Sequence, residues 1–256
     1  KGVIPGLQRF DVLEKKIAIE AETLELLKDN PEMLSHYQGI LDGYNKAYSA
    51  LQPAKIWDSY FTECFWKQPF FRFLFRAYWL PSYDMNTSEG QARESRTIED
   101  IRNALPGFYN SADIETEKRL MAAMISMFLE NIPDEQLPPA LSKAKGRYAD
   151  QAGFTDYLFS KSIYGSQKKA EAFFTSWKGK SSLKKLTKDP LFNLMKDVVD
   201  HYRINWHTQI QTANIAIDSL HRLNMKLILD LKQSSMIYPD ANATLRISYG
   251  QVSGSY

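Results

Sequence analysis

The chain has 256 residues and a formal net charge of +2, with 44% hydrophobic, 24% charged and 13% aromatic residues. This composition excludes a disordered chain, and 12 Gly and 11 Pro without a period exclude a collagen-like one. The single cysteine, Cys64, excludes an internal disulfide and any multi-cysteine metal site. The near-neutral charge gives no general attraction to nucleic acid or to an anionic membrane.

Apolar spacing predicts a helical hairpin at the start of the chain. An apolar stripe predicts a first helix over residues 6–29, which Asn30 and Pro31 end. Pro31 suits the first turn of a second helix, because its missing N–H has no intrahelical partner there. We expect that second helix to end before Pro53, since proline breaks a helix interior.

The next segment, residues 57–83, is the most aromatic of the chain. It holds 12 of the 33 aromatic residues (5 Trp, 14 Tyr and 14 Phe). Lys67, Arg72 and Arg76 exclude a membrane span here, and Pro69 and Pro81 break the helix. The segment is either a core filled by bulky rings or an aromatic groove or docking surface, and the core interpretation is favoured.

Two further helices are predicted before a proline-rich connector. The first spans residues 88–105, and the second spans residues 111–131 with Ser111 as its N-cap. The second carries a stripe of methionines that is typical of a core face. Its apolar residues are Leu120, Met121, Met124, Met127 and Phe128, and Pro133, Pro138 and Pro139 form the connector.

Residues 143–188 are basic, with 11 Lys and Arg against three acidic residues, and aromatic residues lie between them. Basic residues interleaved with aromatics can bind single-stranded nucleic acid. No RNA-binding signature accompanies them, so a solvated or interdomain face is the favoured interpretation. Steep salt-dependent binding to oligonucleotides would support the nucleic-acid alternative.

A very long helix is predicted over residues 191–233, started by Pro190 and free of internal Pro and Gly. Its length would be about 60 Å at the rise of an α-helix. After a turn, residues 245–249 alternate apolar and polar side chains as a half-buried strand does. No partner strand is evident in the sequence, so we expect this strand to join a sheet outside it and the chain to be a piece of a larger protein.

The histidines give two candidate acid–base or metal pairs. Asp197 and His201 lie four residues apart on the long helix, and Asp218 and His221 lie three apart. Such isolated pairs are most often surface ion pairs. The other two histidines are His36 and His207.

Other catalytic signatures are lacking in the sequence. There is no metalloprotease helix, phosphate-binding loop or dinucleotide fingerprint. Cys64 has no neighbouring His and is interpreted as a buried structural thiol. Residues 252–255 resemble a nucleophile loop but lack the flanking glycine, so they are interpreted as a turn. The sequence therefore predicts no catalytic residue, no metal site and no cofactor, and it leaves the substrate-binding residues unknown.

Both ends of the chain resemble one family. The early residues are Lys1, Gly2, Gly6, Leu7, Val12, Lys16 and Glu20, and the late run, residues 238–250, reads Tyr-Pro-Asp-Ala-Asn-Ala-Thr-Leu-Arg-Ile-Ser-Tyr-Gly. These segments resemble the borders of the helical domain in the bacterial chymotrypsin-like serine dipeptidyl-peptidases. That family includes dipeptidyl-peptidases 7 and 11 and dipeptidyl aminopeptidase BII. The matched residues cover about a tenth of the chain and the late run is the more specific.

The resemblance implies an all-α, irregular multi-helix domain with one very long C-terminal helix and a short terminal β segment. Residues 1–236 would be the helical domain inserted into a β-barrel, and residues 237–256 would start the return to that barrel. In the family a His/Asp/Ser triad lies in the barrel, on either side of this insertion. The resemblance thus implies that this chain carries no triad residue and is inactive alone.

The resemblance also implies function and partners. The domain would cap the cleft of an enzyme that removes dipeptides from peptide N-termini. It would contact peptide substrates and its own β-barrel, and the complete enzyme would be able to form a homodimer. It implies a periplasmic or secreted protein with no cofactor, no nucleic-acid partner and no membrane span. The alternative is a stand-alone helical protein-interaction module.

Overall fold

A computed structural model of the protein describes residues 11–148 and 150–231. The described part is all-α, as the sequence predicts. Its α-helices are α1 (Val12–Leu27), α2 (Pro31–Phe61), α3 (Pro69–Phe75), α4 (Ser88–Ser111), α5 (Ile114–Asn131), α6 (Pro139–Arg147), α7 (Gln151–Lys161), α8 (Gln167–Thr175), α9 (Lys180–Leu186), α10 (Pro190–His201) and α11 (Thr208–Leu231). Two π-helical segments, π1 (Thr62–Trp66) and π2 (Tyr202–His207), follow α2 and α10.

Proline positions set several helix starts but not every helix end. Pro69, Pro139 and Pro190 occupy the first turns of α3, α6 and α10, where no N–H is needed. The prediction that the second helix ends before Pro53 is wrong, because α2 continues through it to Phe61. Burial of the residues that follow, including Ala54 and Trp57, offsets the lost hydrogen bond.

The boundary between α4 and α5 also differs from the prediction. α4 extends through Pro106 to Ser111, so the predicted end at residue 105 is too early. Ser111 is not the N-cap of α5, because its hydroxyl donates to carbonyls within α4. Asp113 is the N-cap, and its carboxylate accepts from the Thr116 N–H at 3.2 Å. A carboxylate placed here also interacts favourably with the helix dipole.

The long helix is present over the described residues. α10, π2 and α11 follow one another without a break from Pro190 to Leu231, as predicted. The predicted end of this helix, the strand at residues 245–249 and the turn at residues 252–255 lie outside the described residues.

The chain divides into two compact units. The larger unit is residues 47–215, and the smaller is residues 1–46 with residues 216–256. The larger unit is built around buried aromatic rings. The largest of its fully buried side chains are Trp57, Tyr164, Phe70, Phe71, Phe128, Phe174 and Phe192.

The described core of the smaller unit is modest. It consists of Leu27, Tyr37, Ile40 and Leu227, with partly buried apolar neighbours. The predicted apolar stripe of the first helix is only partly used, because Leu13 and Ile17 are well exposed.

Candidate functional site

The first half of the aromatic segment forms a core, as the favoured interpretation predicts. Trp57 is fully buried, and its Nε1 donates to the Gln136 carbonyl at 3.1 Å. Surrounding rings stack on it or meet it edge-on with centroids 5.3–5.8 Å away. These rings are Phe61, Phe128, Tyr202 and Trp206. The rings packed around Trp57 therefore contribute to stability.

The second half reaches the surface, where it forms what we call the aromatic edge: Tyr78, Trp79, Asp200, Arg203 and Ile204. The Arg203 guanidinium lies 4.6 Å from the centroid of the Trp79 ring, within cation–π distance. Trp79 and Ile204 are 43% and 73% exposed. Because exposed apolar groups lie here beside a fixed guanidinium, a combination that is typical of binding surfaces, we take the aromatic edge as the candidate functional surface.

Hydrogen bonds fix the aromatic edge to the long helix. The Tyr78 hydroxyl donates to an Asp200 carboxylate oxygen, and Arg203 donates to the same hydroxyl at 3.3 Å. Lys196 pairs with the second oxygen of Asp200. Burial, with the hydrogen bond to Asp200, raises the pKa of Tyr78, so the phenol remains a neutral donor.

The π-helical segment π2 positions these groups. A π-helical turn holds an extra residue, which rotates the side chains that follow it around the helix axis. Its first residue, Tyr202, donates to Asp58 of α2 at 2.7 Å, and Trp206 packs on Trp57. The segment is thereby anchored on one side while Arg203 and Ile204 remain at the surface.

Sequence reasoning missed Asp200 and Arg203, because on the long helix it followed only the apolar positions and the pairs that contain a histidine. A signal was available. Tyr202 and Ile204 flank Arg203, and an arginine beside exposed aromatic and aliphatic residues is typical of binding surfaces.

The pair Asp197 and His201 does not act as a couple, and it is not a surface ion pair. Asp197 accepts a hydrogen bond at 2.6 Å from the N–H of Ala140, near the start of α6. His201 packs against Trp57, with ring centroids 5.5 Å apart. Burial lowers the pKa of His201 although the Gln136 backbone and Asp197 favour its charged form. The prediction of a surface ion pair fails because Asp197 binds the start of α6, whereas His201 packs on α2.

The remaining histidines are dispersed. In the smaller unit, the Nδ1 of His221 lies 2.8 Å from the Tyr44 hydroxyl, and Asp218 and His36 are exposed. In the larger unit, the His207 ring lies 5.7 Å from that of Tyr202. Over residues 11–148 and 150–231, no group of three His, Cys, Asp or Glu residues is placed to hold a metal ion.

Cys64 is buried, as predicted. Burial, with the nearby Glu63, raises the pKa of the thiol to about 11. A thiol with this pKa is protonated at neutral pH and is a poor nucleophile. Among the helices that the structure describes, none is both long enough and apolar enough to cross a bilayer.

Comparison with known proteins places the chain in a peptidase context. The Peptidase S46 family model matches residues 1–256. The Asp/Glu-specific dipeptidyl-peptidase of Porphyromonas gingivalis is 32% identical over 169 residues, covering 65% of this chain and 23% of that protein. Dipeptidyl-peptidase 7 of the same organism is 25% identical over 257 residues, covering 99% of this chain and 34% of that protein.

A solved structure shares the fold. The crystal structure of Porphyromonas endodontalis DPP11 in complex with the dipeptide Arg-Asp matches with a TM-score of 0.69 and 22% identity. The match covers 93% of this chain and 33% of that one. The chain thus spans about a third or less of the length of these relatives.

Proposed function

The chain belongs to the peptidase S46 family, and on this premise we propose that it is the helical domain of a serine dipeptidyl-peptidase. The observation that carries the proposal is that the family model matches the whole chain while the chain spans only about a third of the length of its relatives. The complete enzyme would hydrolyse peptides two residues from a free N-terminus. The relatives named dipeptidyl-peptidase support this reaction.

The domain's task in that enzyme is to limit access to the cleft. An exopeptidase must close one end of its cleft, so that only two residues fit beyond the scissile bond, and a helical layer can do this without taking part in bond chemistry. Residues 1–236 would form this layer, and residues 237–256 would lead back into the catalytic β-barrel. The His/Asp/Ser triad would lie outside these 256 residues, and this chain alone would be inactive.

We assign the contact with the cleft side of the enzyme to the aromatic edge. Trp79 is exposed, and the Arg203 guanidinium lies over its ring. Arg203 is held there by a hydrogen bond to the Tyr78 hydroxyl, which in turn donates to Asp200. A flat ring with a fixed guanidinium can stack on a peptide or on another domain and can donate hydrogen bonds to carbonyl groups. The enzyme would be periplasmic or secreted, and it could pair with a second copy.

The complete protein tests the proposal. It should release dipeptides from fluorogenic dipeptidyl substrates with a free N-terminus, lose this activity with a serine-directed inhibitor, and leave N-acetylated substrates intact. Residues 1–256 alone should release nothing. Cleavage of N-acetylated substrates at the same rate would contradict an exopeptidase. A complete protein without peptidase activity would favour an interaction module instead.

Variants test the assignment to the aromatic edge. Trp79→Ala with Arg203→Ala should lower kcat/KM of the complete protein by about fivefold or more, since a stacked cation and its ring are lost together. Tyr157→Ala is the matched control, because Tyr157 has nearly the same exposure as Trp79 but lies on α7. Equal losses in both variants would remove the aromatic edge from the proposal.

A further inference from the structure

An open groove of about 740 Å³ lies within the larger unit, and one of its lining rings, Phe75, stacks on Tyr78 of the aromatic edge with centroids 5.0 Å apart. One wall is formed by Trp66 of π1 with the exposed face of α3, and the other by the C-terminal half of α4. Its lining includes Trp66, Lys67, Arg72, Phe75, Arg76, Asn103, Gly107 and Phe108. We call it the basic groove.

The charge of the basic groove is one-sided. Three of its lining residues are cations, and none is acidic. Lys67 is paired with Glu63, one helical turn before it. Arg72 and Arg76 are exposed, and neither forms an ion pair with another described residue. Arg72 lies on α3 and Arg76 is the C-cap of that helix, four residues later, so their guanidinium groups can act together on one ligand.

Most of the remaining lining is apolar, and its aromatic rings are held by one another. The rings of Trp66 and Phe75 meet edge-on with centroids 4.9 Å apart, and Phe108 stacks on Phe73 at 4.2 Å. These contacts fix the aromatic walls before any ligand arrives, so little side-chain entropy is lost on binding. On the α4 side the groove is open at Gly107, because a Cβ atom added there would have no neighbouring atom within 4 Å.

We propose that the basic groove binds an acidic peptide segment, whose carboxylates pair with Arg72 and Arg76 and whose apolar side chains lie on Trp66, Phe75 and Phe108. Planar guanidinium groups match carboxylates in two-point geometry. A peptide fits better than a nucleic acid, because two free cations cannot follow a phosphate backbone and most of the lining is apolar. The site goes beyond the proposed peptidase function and does not depend on it.

Fluorescence anisotropy with the complete protein tests the proposal. The probe is an N-acetylated, fluorescein-labelled peptide with the sequence Glu-Leu-Glu-Asp-Leu-Glu, whose blocked N-terminus prevents removal of a dipeptide. The control probe has Gln and Asn in place of Glu and Asp. Saturable binding of the acidic probe that weakens with salt supports the proposal. Equal binding of both probes, or no binding, overturns it.

Two pairs of variants locate the binding. Arg72→Glu with Arg76→Glu should weaken binding of the acidic probe by about tenfold or more, whereas Lys184→Glu with Lys185→Glu on α9 changes the net charge equally and should not. Gly107→Leu should also weaken binding by filling the groove. Gly146→Leu on α6 is its control, because a Cβ atom there also meets nothing within 4 Å.

Each contrary outcome is informative. Equal losses in the paired charge variants would mean that binding follows net charge, which overturns the site. Tighter binding of an oligothymidylate of matched charge, lost with Arg72→Glu and Arg76→Glu, would replace the peptide by nucleic acid. Thermal unfolding of every variant shows that a loss of binding is not a loss of folding.

Discussion

The two units of the molecule differ in how they bury their apolar residues. The larger unit encloses Trp57, Phe128 and Phe192 almost completely, and its aromatic rings contact one another in a continuous series. The described core of the smaller unit has four residues, and Leu13 and Ile17 of α1 face solvent. Since the free energy of burial grows with the apolar area removed from water, the two units should differ in stability.

This contrast suggests a division of roles. A rigid aromatic core in the larger unit can hold the aromatic edge and the basic groove in fixed geometry, which recognition requires. The described part of the smaller unit buries fewer apolar residues, and we expect it to open at a lower free energy. Four substitutions sharpen or break this comparison.

The largest effect is expected at Trp57 in the larger unit. Trp57→Ala should lower the free energy of unfolding by about 4 kcal/mol, because a buried indole, its stacking partners and a hydrogen bond are lost. Urea unfolding followed by circular dichroism measures it. Trp66→Ala, at a ring that is 38% exposed, should cost less than about 1 kcal/mol. Similar losses for both tryptophans would contradict the aromatic core.

Asp189 should give the next largest effect. Its buried carboxylate accepts from the Ser162 hydroxyl, from the Ile163 N–H at 2.6 Å and from the Phe192 N–H at 3.0 Å. Asp189→Ala leaves these donors without a partner and should cost about 3 kcal/mol. Asp113→Ala removes an exposed N-cap of the same type and should cost clearly less than Asp189→Ala. Thermal unfolding compares the two, and equal costs would mean that burial adds nothing at Asp189.

Leu27 probes the smaller unit. It is fully buried in the cluster with Tyr37, Ile40 and Leu227. Leu27→Ala should lower the free energy of unfolding by about 2.5 kcal/mol. This is at the low end for such substitutions, because the residues of a small cluster can move to fill the cavity. Hydrogen exchange should accelerate in α1 while the amides around Trp57 keep their protection. Leu24→Ala is the control, since Leu24 is partly exposed. Loss of protection in both units would mean that they unfold as one.

The smallest effect concerns the pH dependence of stability at His201. Burial lowers its folded-state pKa below the ordinary value of 6.5. The unfolded chain therefore binds more protons between these two values, and stability falls as the pH drops below 6.5. Because solvent partly screens the ring, we expect His201→Gln to flatten this dependence only slightly between about pH 7.5 and 5.5. If the urea midpoints of the protein with and without His201 depend on pH in the same way, the lowered pKa of His201 is contradicted.

Local patterns predicted much of the fold. The apolar spacing of residues 191–233 predicted the long helix up to Leu231, and Pro190 marked its start because a proline ring is compatible with a first turn. Pro69 was predicted only to break a helix, and it also starts the next one. Pro53 and Pro106 lie inside helices instead. Whether a proline ends a helix depends on the packing of the residues beyond it, which a local pattern does not contain.

The candidate site was harder to predict for the same reason. The aromatic segment was recognised, but which of its rings are buried, as Trp57 and Phe71 are, and which reach the surface, as Trp79 does, depends on tertiary contacts. Asp197 and His201 share a helical face, yet one binds the backbone of Ala140 and the other packs on Trp57. Helical spacing indicates which residues are neighbours on one helix, not which other elements reach them.

We propose that the residues that cleave the peptide bond lie outside these 256 residues in the complete protein. Labelling the complete protein with a fluorophosphonate, followed by peptide mapping, tests it most directly, because the reagent marks the nucleophilic serine. We predict one labelled serine, located outside residues 1–256, whose modification parallels the loss of dipeptide release. A labelled serine within this chain, such as Ser253, would contradict the claim.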